Sequence, residues 1–180
     1  MQRTHTLVVL VEDQPGVLNR VVSLMRRRSF NIDSITVGHS EQAGLSRMTI
    51  LVNGEDSEVE QAGKQLYKLL EVVKVTDLPV AEGITRELVM VKVAAKGQTR
   101  SEVFQIAEIY GARVLDATPG TLMIECTGDE EQIDSFLAMM RVYGIRELAR
   151  SGKIAMSRGS MAGKGGRVDR IGEGSVAVAD

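Results

Sequence analysis

Thr6-Leu7-Val8-Val9-Leu10-Val11-Glu12-Asp13-Gln14-Pro15-Gly16-Val17-Leu18 is the stretch whose reading decides the fold. Thr6 to Val11 is an unbroken β-branched and leucine run, suited to a strand that is apolar on both faces. Glu12 to Gly16 halts it, because proline gives up its N–H and glycine reaches backbone angles that other residues avoid. From Val17 the period changes: Val17, Leu18, Val21, Val22, Leu24 and Met25 recur at helical spacing, with Asp13 or Gln14 near the cap position and Pro15 near the first turn. Arg26-Arg27-Arg28 closes this helix. The three cations complement the negative end of the helix dipole, a simpler reading than a phosphate site.

Outward from this strand and helix, Phe30 to Val37 reads as a strand, Gly38 to Gly44 as a turn, and Leu45 to Val52 as a strand with Met48, Ile50 and Val52 on one face. A second helix is predicted over Ser57 to Leu70, with Val59, Ala62, Leu66, Leu69 and Leu70 on one side, and Val72 to Leu78 closes the unit. After the linker Pro79 to Gly83 the order restarts. Arg86 to Ala95 begins with a strand and Gln98 to Tyr110 is helical. Arg113 to Ala117 and Thr121 to Thr127 form a hairpin, Asp129 to Met140 is helical, and Ile145 to Ala155 is a last extended segment.

Each half is thus a βαββαβ unit, and the fold class is α+β: two ferredoxin-like domains with antiparallel sheets, at residues 1–78 and 84–158. Residues 159–180 carry many glycines and few large apolar residues, and read as a flexible tail. Two helices cover one face of a four-stranded sheet. The other face, or an exposed edge, is therefore expected to be covered by another copy of the chain.

Composition limits the function classes. With 180 residues, 43% of them hydrophobic, two small cores can form, and a net charge of −2 spread along the chain gives no field for nucleic acid or an anionic membrane. The single cysteine, Cys126, sits in the apolar run Thr121 to Cys126 and reads as a small core residue; no disulfide can form within the chain. The start, Met1 to Thr6, lacks signal-peptide architecture and leads into a run far too short to span a bilayer, so a cytoplasmic protein is the expectation. His5 and His39 have no second ligand at metal spacing, no nucleophile-elbow pattern occurs, and Gly163-Lys164-Gly165-Gly166 lacks the rest of a phosphate loop. Glu12-Asp13, Glu55-Asp56 and Asp129-Glu130-Glu131 all fall at helix starts, where they read as caps.

The turn from Asp13 to Leu18 is the most informative feature. A glycine between strand and helix lets the backbone approach a ligand, and the free N–H groups of the first helical turn suit a carboxylate. A simple turn made by Pro15 and Gly16 is an equally good reading of the residues alone.

Val11 to Leu18, followed by Phe30-Asn31-Ile32-Asp33-Ser34-Ile35, resembles an ACT domain, an amino-acid-sensing module. Leu45 to Ile50, Gln65 to Val75, Arg86 to Val93 and Ala149 to Ala155, in that order, resemble the small regulatory subunit of acetohydroxyacid (acetolactate) synthase, a likeness extending over roughly Arg3 to Gly159. The resemblance implies a non-catalytic regulatory chain that activates a separate catalytic large subunit and confers feedback inhibition by valine, on the route to valine, leucine and isoleucine. It implies no cofactor in this chain, with thiamine diphosphate, Mg and FAD on the catalytic subunit. By position it assigns valine to Asp13, Gln14, Gly16, Val17 and Leu18 of one chain and Asn31, Ile32 and Val37 of the facing chain, in a homodimer or higher homo-oligomer. Asn31 offers both a carbonyl and an amide to a zwitterion. Asp13 stands where the family commonly has asparagine; a carboxylate accepts from an ammonium but repels a carboxylate, which bears on valine affinity.

Other uses of the fold fit less well. RNA recognition needs exposed aromatics on central strands, and the chain has three Phe and three Tyr with no such strand motif. A transcription regulator would need room for a helix-turn-helix segment. The remaining rival is a stand-alone amino-acid-binding ACT protein that regulates another partner.

Overall fold

The computed structural model describes residues 3–159, so the tail expected at residues 159–180 lies, but for Gly159, outside them. β1 (Arg3–Glu12), α1 (Val17–Arg27), β2 (Asn31–His39), β3 (Leu45–Gly54), α2 (Asp56–Leu66) and β4 (Val72–Asp77) make the first βαββαβ unit. Its sheet has the order β2-β3-β1-β4, antiparallel at each pair. β5 (Gly83–Ala94), α3 (Gln98–Ile109), β6 (Arg113–Ala117), β7 (Thr121–Gly128), α4 (Glu130–Arg141) and β8 (Ile145–Arg150) repeat the pattern in the order β6-β7-β5-β8. Both units therefore have the ferredoxin-like arrangement. The chain divides at Ile84/Thr85, and residues 155–159 belong again to the first unit.

In the first unit Leu7, Val9 and Val11 point to the helices and meet Val21 and Met25 of α1 and Val59 and Leu66 of α2 in one core. Truncating a leucine or methionine in such a core to alanine costs about 2–5 kcal/mol. The opposite side of β1 is not left to another copy at Val8. Val8, Leu78 and Ala155 form a small second cluster of buried residues, so the chain covers part of that face itself. The edges of the first sheet are β2 and β4. In the second unit Val89, Val91, Leu122, Ile124, Phe136 and Leu137 are the corresponding core, and Cys126 is buried among them.

Several boundaries differ from the sequence reading. α2 ends at Leu66, four residues early, because the Tyr67 hydroxyl turns to Val75, accepting its N–H at 2.8 Å and donating to its carbonyl at 3.0 Å. Leu70, expected on the buried side, is consequently 85% exposed. β2 continues through Gly38 to His39. The last extended segment is broken after Arg150 by Gly152 at φ 80°, and β9 (Ile154–Ser157) follows. There Arg158 N donates to Glu82 O at 2.9 Å.

Of the three acidic helix starts, Asp129 accepts from Gln132 N at 2.9 Å and the Glu58 carboxylate accepts from Glu55 N at 2.9 Å, both as capping chemistry requires. The third does otherwise. The N-cap of α1 is Gly16 at φ 85°, with no side-chain cap, and Pro15 stays in the preceding turn. Asp13 and Gln14 leave the cap position because their side chains are engaged elsewhere: Asp13 with His39, Gln14 with Glu12.

Candidate functional site

The β1–α1 turn is fixed by two neighbouring segments and by a bond of its own. Asp13 N donates to Gly44 O at 2.8 Å, Glu12 N to Glu71 O at 2.8 Å, and Gln14 N to Glu12 O at 3.0 Å. The backbone then enters α1 through Gly16 in a left-handed conformation, which is why this position takes glycine. Val17 N donates to Gln14 O at 3.3 Å and Arg20 N to Gly16 O at 3.0 Å. Among the described residues no such bond involves the amides of Leu18 and Asn19, which are the free donors of this helix start. Together with the positive end of the helix dipole they make a surface suited to a carboxylate.

The side chains around the turn pair with one another. His39 Nδ1 lies 3.2 Å from Asp13 Oδ2, tying the end of β2 to the turn. Gln14 Nε2 donates to Glu12 Oε2 at 2.8 Å. On the β2–β3 hairpin Arg47 Nη2 donates to both oxygens of Glu41, at 3.0 and 3.3 Å. A backbone hydrogen bond at Glu41 itself, and then Arg47, hold the Glu41 carboxyl below its ordinary range. On the far side of the turn Arg20 Nη2 meets Glu71 Oε1 at 2.8 Å.

Of the residues that the resemblance assigns to an effector, one chain brings together Asp13, Gln14, Gly16, Val17 and Leu18 only. The Val17 side chain is core, 3% exposed, so only its backbone faces the turn; Leu18 is 44% exposed and offers an apolar wall. Val37, 42% exposed, lies two residues before His39 on β2. Asn31 is at the other end of that strand, about 20 Å from Val37 at roughly 3.3 Å per residue. Its Nδ2 donates to Asp33 Oδ1 at 3.3 Å, and the Asp33 and Thr4 side chains both bond Asn53 beside it. Ile32 is half-buried and packs on the core.

Sequence reasoning does not single out His39, Arg20, Glu71 or Gly44. His39 falls in the stretch that reads as a turn, and nothing in the sequence links Arg20 to a residue 51 positions away. Among the described residues no group of three or more His, Cys, Asp or Glu could hold a metal ion, and no helix is long and apolar enough to cross a membrane.

Comparison with known proteins agrees with this architecture unit by unit. Residues 7–74 match the family model of the AHAS small subunit-like ACT domain, and residues 86–159 that of the small subunit of acetolactate synthase. The chain is 52% identical over 158 residues to a probable acetolactate synthase small subunit of Methanothermobacter thermautotrophicus, covering 87% of this chain and 94% of that one. It is 47% identical over 156 residues to the acetolactate synthase small subunit of Mycolicibacterium smegmatis, covering 87% and 92%. The crystal structure of the acetolactate synthase small subunit from Thermotoga maritima superposes with a TM-score of 0.82 at 40% identity, over 87% of this chain and 98% of that one. With both units matched and such identities sustained along nearly the whole length of each relative, the chain belongs to the acetolactate synthase small-subunit family.

Proposed function

We propose that this chain activates a separate acetolactate synthase catalytic subunit and makes it sensitive to valine, bound between the first units of two copies of the chain. The observation that carries the reading is the separation of Asn31 from the Asp13–Gly16 turn along β2. The turn offers amides to a carboxylate, whereas Asn31 offers an amide and a carbonyl to either end of a zwitterion. Antiparallel apposition of two β2 strands, about an axis near Ser34, would bring one copy's turn to the other copy's Asn31. Such apposition has support: β2 is an edge of its sheet, and Leu18, Val22 and Val37 all expose apolar surface. A homodimer, or a higher homo-oligomer built on it, is the assembly this reading requires.

Valine regulates only if it binds one arrangement of the dimer better than another, and that difference is what the catalytic partner senses. In this reading thiamine diphosphate, Mg and FAD belong to the catalytic subunit, where the carbon–carbon bond is made. The present chain supplies no reacting group. It works where that subunit does, in the cytoplasm.

Mixing two defective variants tests the composite site. Gly16→Asp and Asn31→Ala homodimers should each fail to bind valine in titration calorimetry. Unfolded and refolded together they should regain binding, because each mixed dimer holds one site made of an intact turn and an intact asparagine. A mixture as inert as its components, or full binding by Asn31→Ala alone, would contradict the composite site. Valine binding by a wild-type chain that leaves the catalytic subunit unaffected would favour the stand-alone sensor.

A further inference from the structure

We propose that Arg20 is a positioning residue for the β1–α1 turn and acts through Glu71. This rests on the effector reading of that turn and names what keeps it in shape. Gly16 adopts φ 85° at the start of a helix without a side-chain cap, so the helix's own chemistry does not lock this conformation. Arg20 stands one helical turn later, and its side chain points back toward the N-terminus, as helical side chains do. Its Nη1 lies 3.3 Å from the place a Cβ on Gly16 would occupy, so the guanidinium stands over the side of the glycine where a side chain would be. Its Nη2 holds Glu71 Oε1 at 2.8 Å.

Glu71 also holds the other end of the turn. Its carbonyl accepts the N–H of Glu12 at 2.8 Å, and the Glu12 carboxylate in turn accepts from Gln14 Nε2 at 2.8 Å. One residue on the approach to β4 thus holds Glu12 through its backbone and, through Arg20, places a guanidinium beside Gly16. The pair is better shielded than an ordinary surface bridge: the side chains of Arg20 and Glu71 are 42% and 19% exposed, against 59% and 67% for Lys64 and Glu60. A planar guanidinium can bind a carboxylate through one nitrogen while another stands over the glycine; a lysine ammonium is a single point and cannot do both. The consequence is preorganisation. The free amides of Leu18 and Asn19 are presented to a ligand without the cost of first ordering the turn.

The test uses the full chain with Arg20→Gln, Glu71→Gln, both together, and Arg20→Lys. Two readouts are taken: hydrogen–deuterium exchange of the amides of residues 12–19, and valine affinity by calorimetry. Each single glutamine variant should speed exchange in this segment and weaken valine binding by about tenfold. The double variant should be no worse than either, because the two residues form one tether. Arg20→Lys should recover only part of the loss, and the thermal midpoint should stay near that of the wild type. Unchanged exchange in both single variants, or losses that add in the double, would overturn the proposal. If the wild-type chain binds no valine while exchange still quickens in both single variants, the tether stands and the valine reading falls.

Discussion

Arg150 holds Glu87 by both carboxylate oxygens, Nε to Oε1 at 2.6 Å and Nη2 to Oε2 at 2.7 Å, while its Nη1 reaches Asp134 of α4 at 2.9 Å. Glu87 is only 5% exposed, so its charge is tolerable because the fork of the guanidinium meets it squarely. The hydrogen bond to Glu87, foremost, and that to Asp134 push the Arg150 guanidinium pKa up against the opposing effect of burial, so the cation stays charged at any working pH. Removing Arg150 alone leaves a buried carboxylate without its partner. Arg150→Ala should cost about 2–3 kcal/mol in urea unfolding, and Arg150→Met with Glu87→Leu should cost less. Equal losses in the two would contradict a buried pair.

Gly16 rejects a side chain because of its φ of 85°; the Arg20 nitrogen, 3.3 Å from the place an alanine Cβ would take, would need to give by only a few tenths of an ångström. Gly16→Ala should lower stability by roughly 1–2 kcal/mol through strain at this φ. Gly16→Asp adds a negative charge where a carboxylate is to be received, and should abolish valine sensitivity while stimulation of the catalytic subunit persists. Retained sensitivity in Gly16→Asp would place the effector elsewhere.

Lys92 Nζ lies 2.6 Å from Glu147 Oε2 across the β5–β8 pair. The hydrogen bond from Lys92, with its charge, holds the Glu147 carboxyl below its ordinary value of 4.5. A carboxyl depressed in the folded chain contributes stability that is fully present above pH 4.5 and is lost as pH falls through the lower folded value. Carboxyl-detected NMR should find Glu147 titrating below its ordinary value, and Lys92→Met should return it there. An unaltered titration in Lys92→Met would remove the pairing from the account.

Burial pushes the Cys126 thiol up from its ordinary value, and its side chain is 1% exposed. Thiolate is the reactive form, so the native chain should resist iodoacetamide at pH 8 and become alkylated only on unfolding. Alkylation as fast as that of a free thiol would show that β7 opens readily. Cys126→Ser should be worse than Cys126→Ala, because the acceptor the thiol reaches, Tyr110 O, is 4.0 Å from the sulfur, beyond hydrogen-bond range for a hydroxyl.

The order of elements is legible in the sequence because the periods differ: Met48, Ile50 and Val52 recur at strand spacing in β3, and Val17, Val21, Leu24 and Met25 at helical spacing in α1. The failures have local causes. Leu69 and Leu70 continue the helical period past Leu66, yet the Tyr67 hydroxyl's two bonds to the Val75 backbone turn the chain away, and apolar spacing carries no trace of such a bond. The acid pair Glu12-Asp13 looks like a cap, but Glu12 is taken by its sequence neighbour Gln14 and Asp13 by His39, which only folding brings near. The turn that forms half of the candidate site is visible as Pro15-Gly16. Its fixings are not, since Arg20 meets Glu71, and Asp13 meets Gly44, across the sheet rather than along the chain.

The measurement that bears most directly on the central claim is acetolactate formation by the cognate catalytic subunit, with and without this chain, across a valine titration. Stimulation by the chain that valine reverses, with Gly16→Asp stimulating equally but ignoring valine, is the predicted result. No stimulation by the wild-type chain would contradict the account.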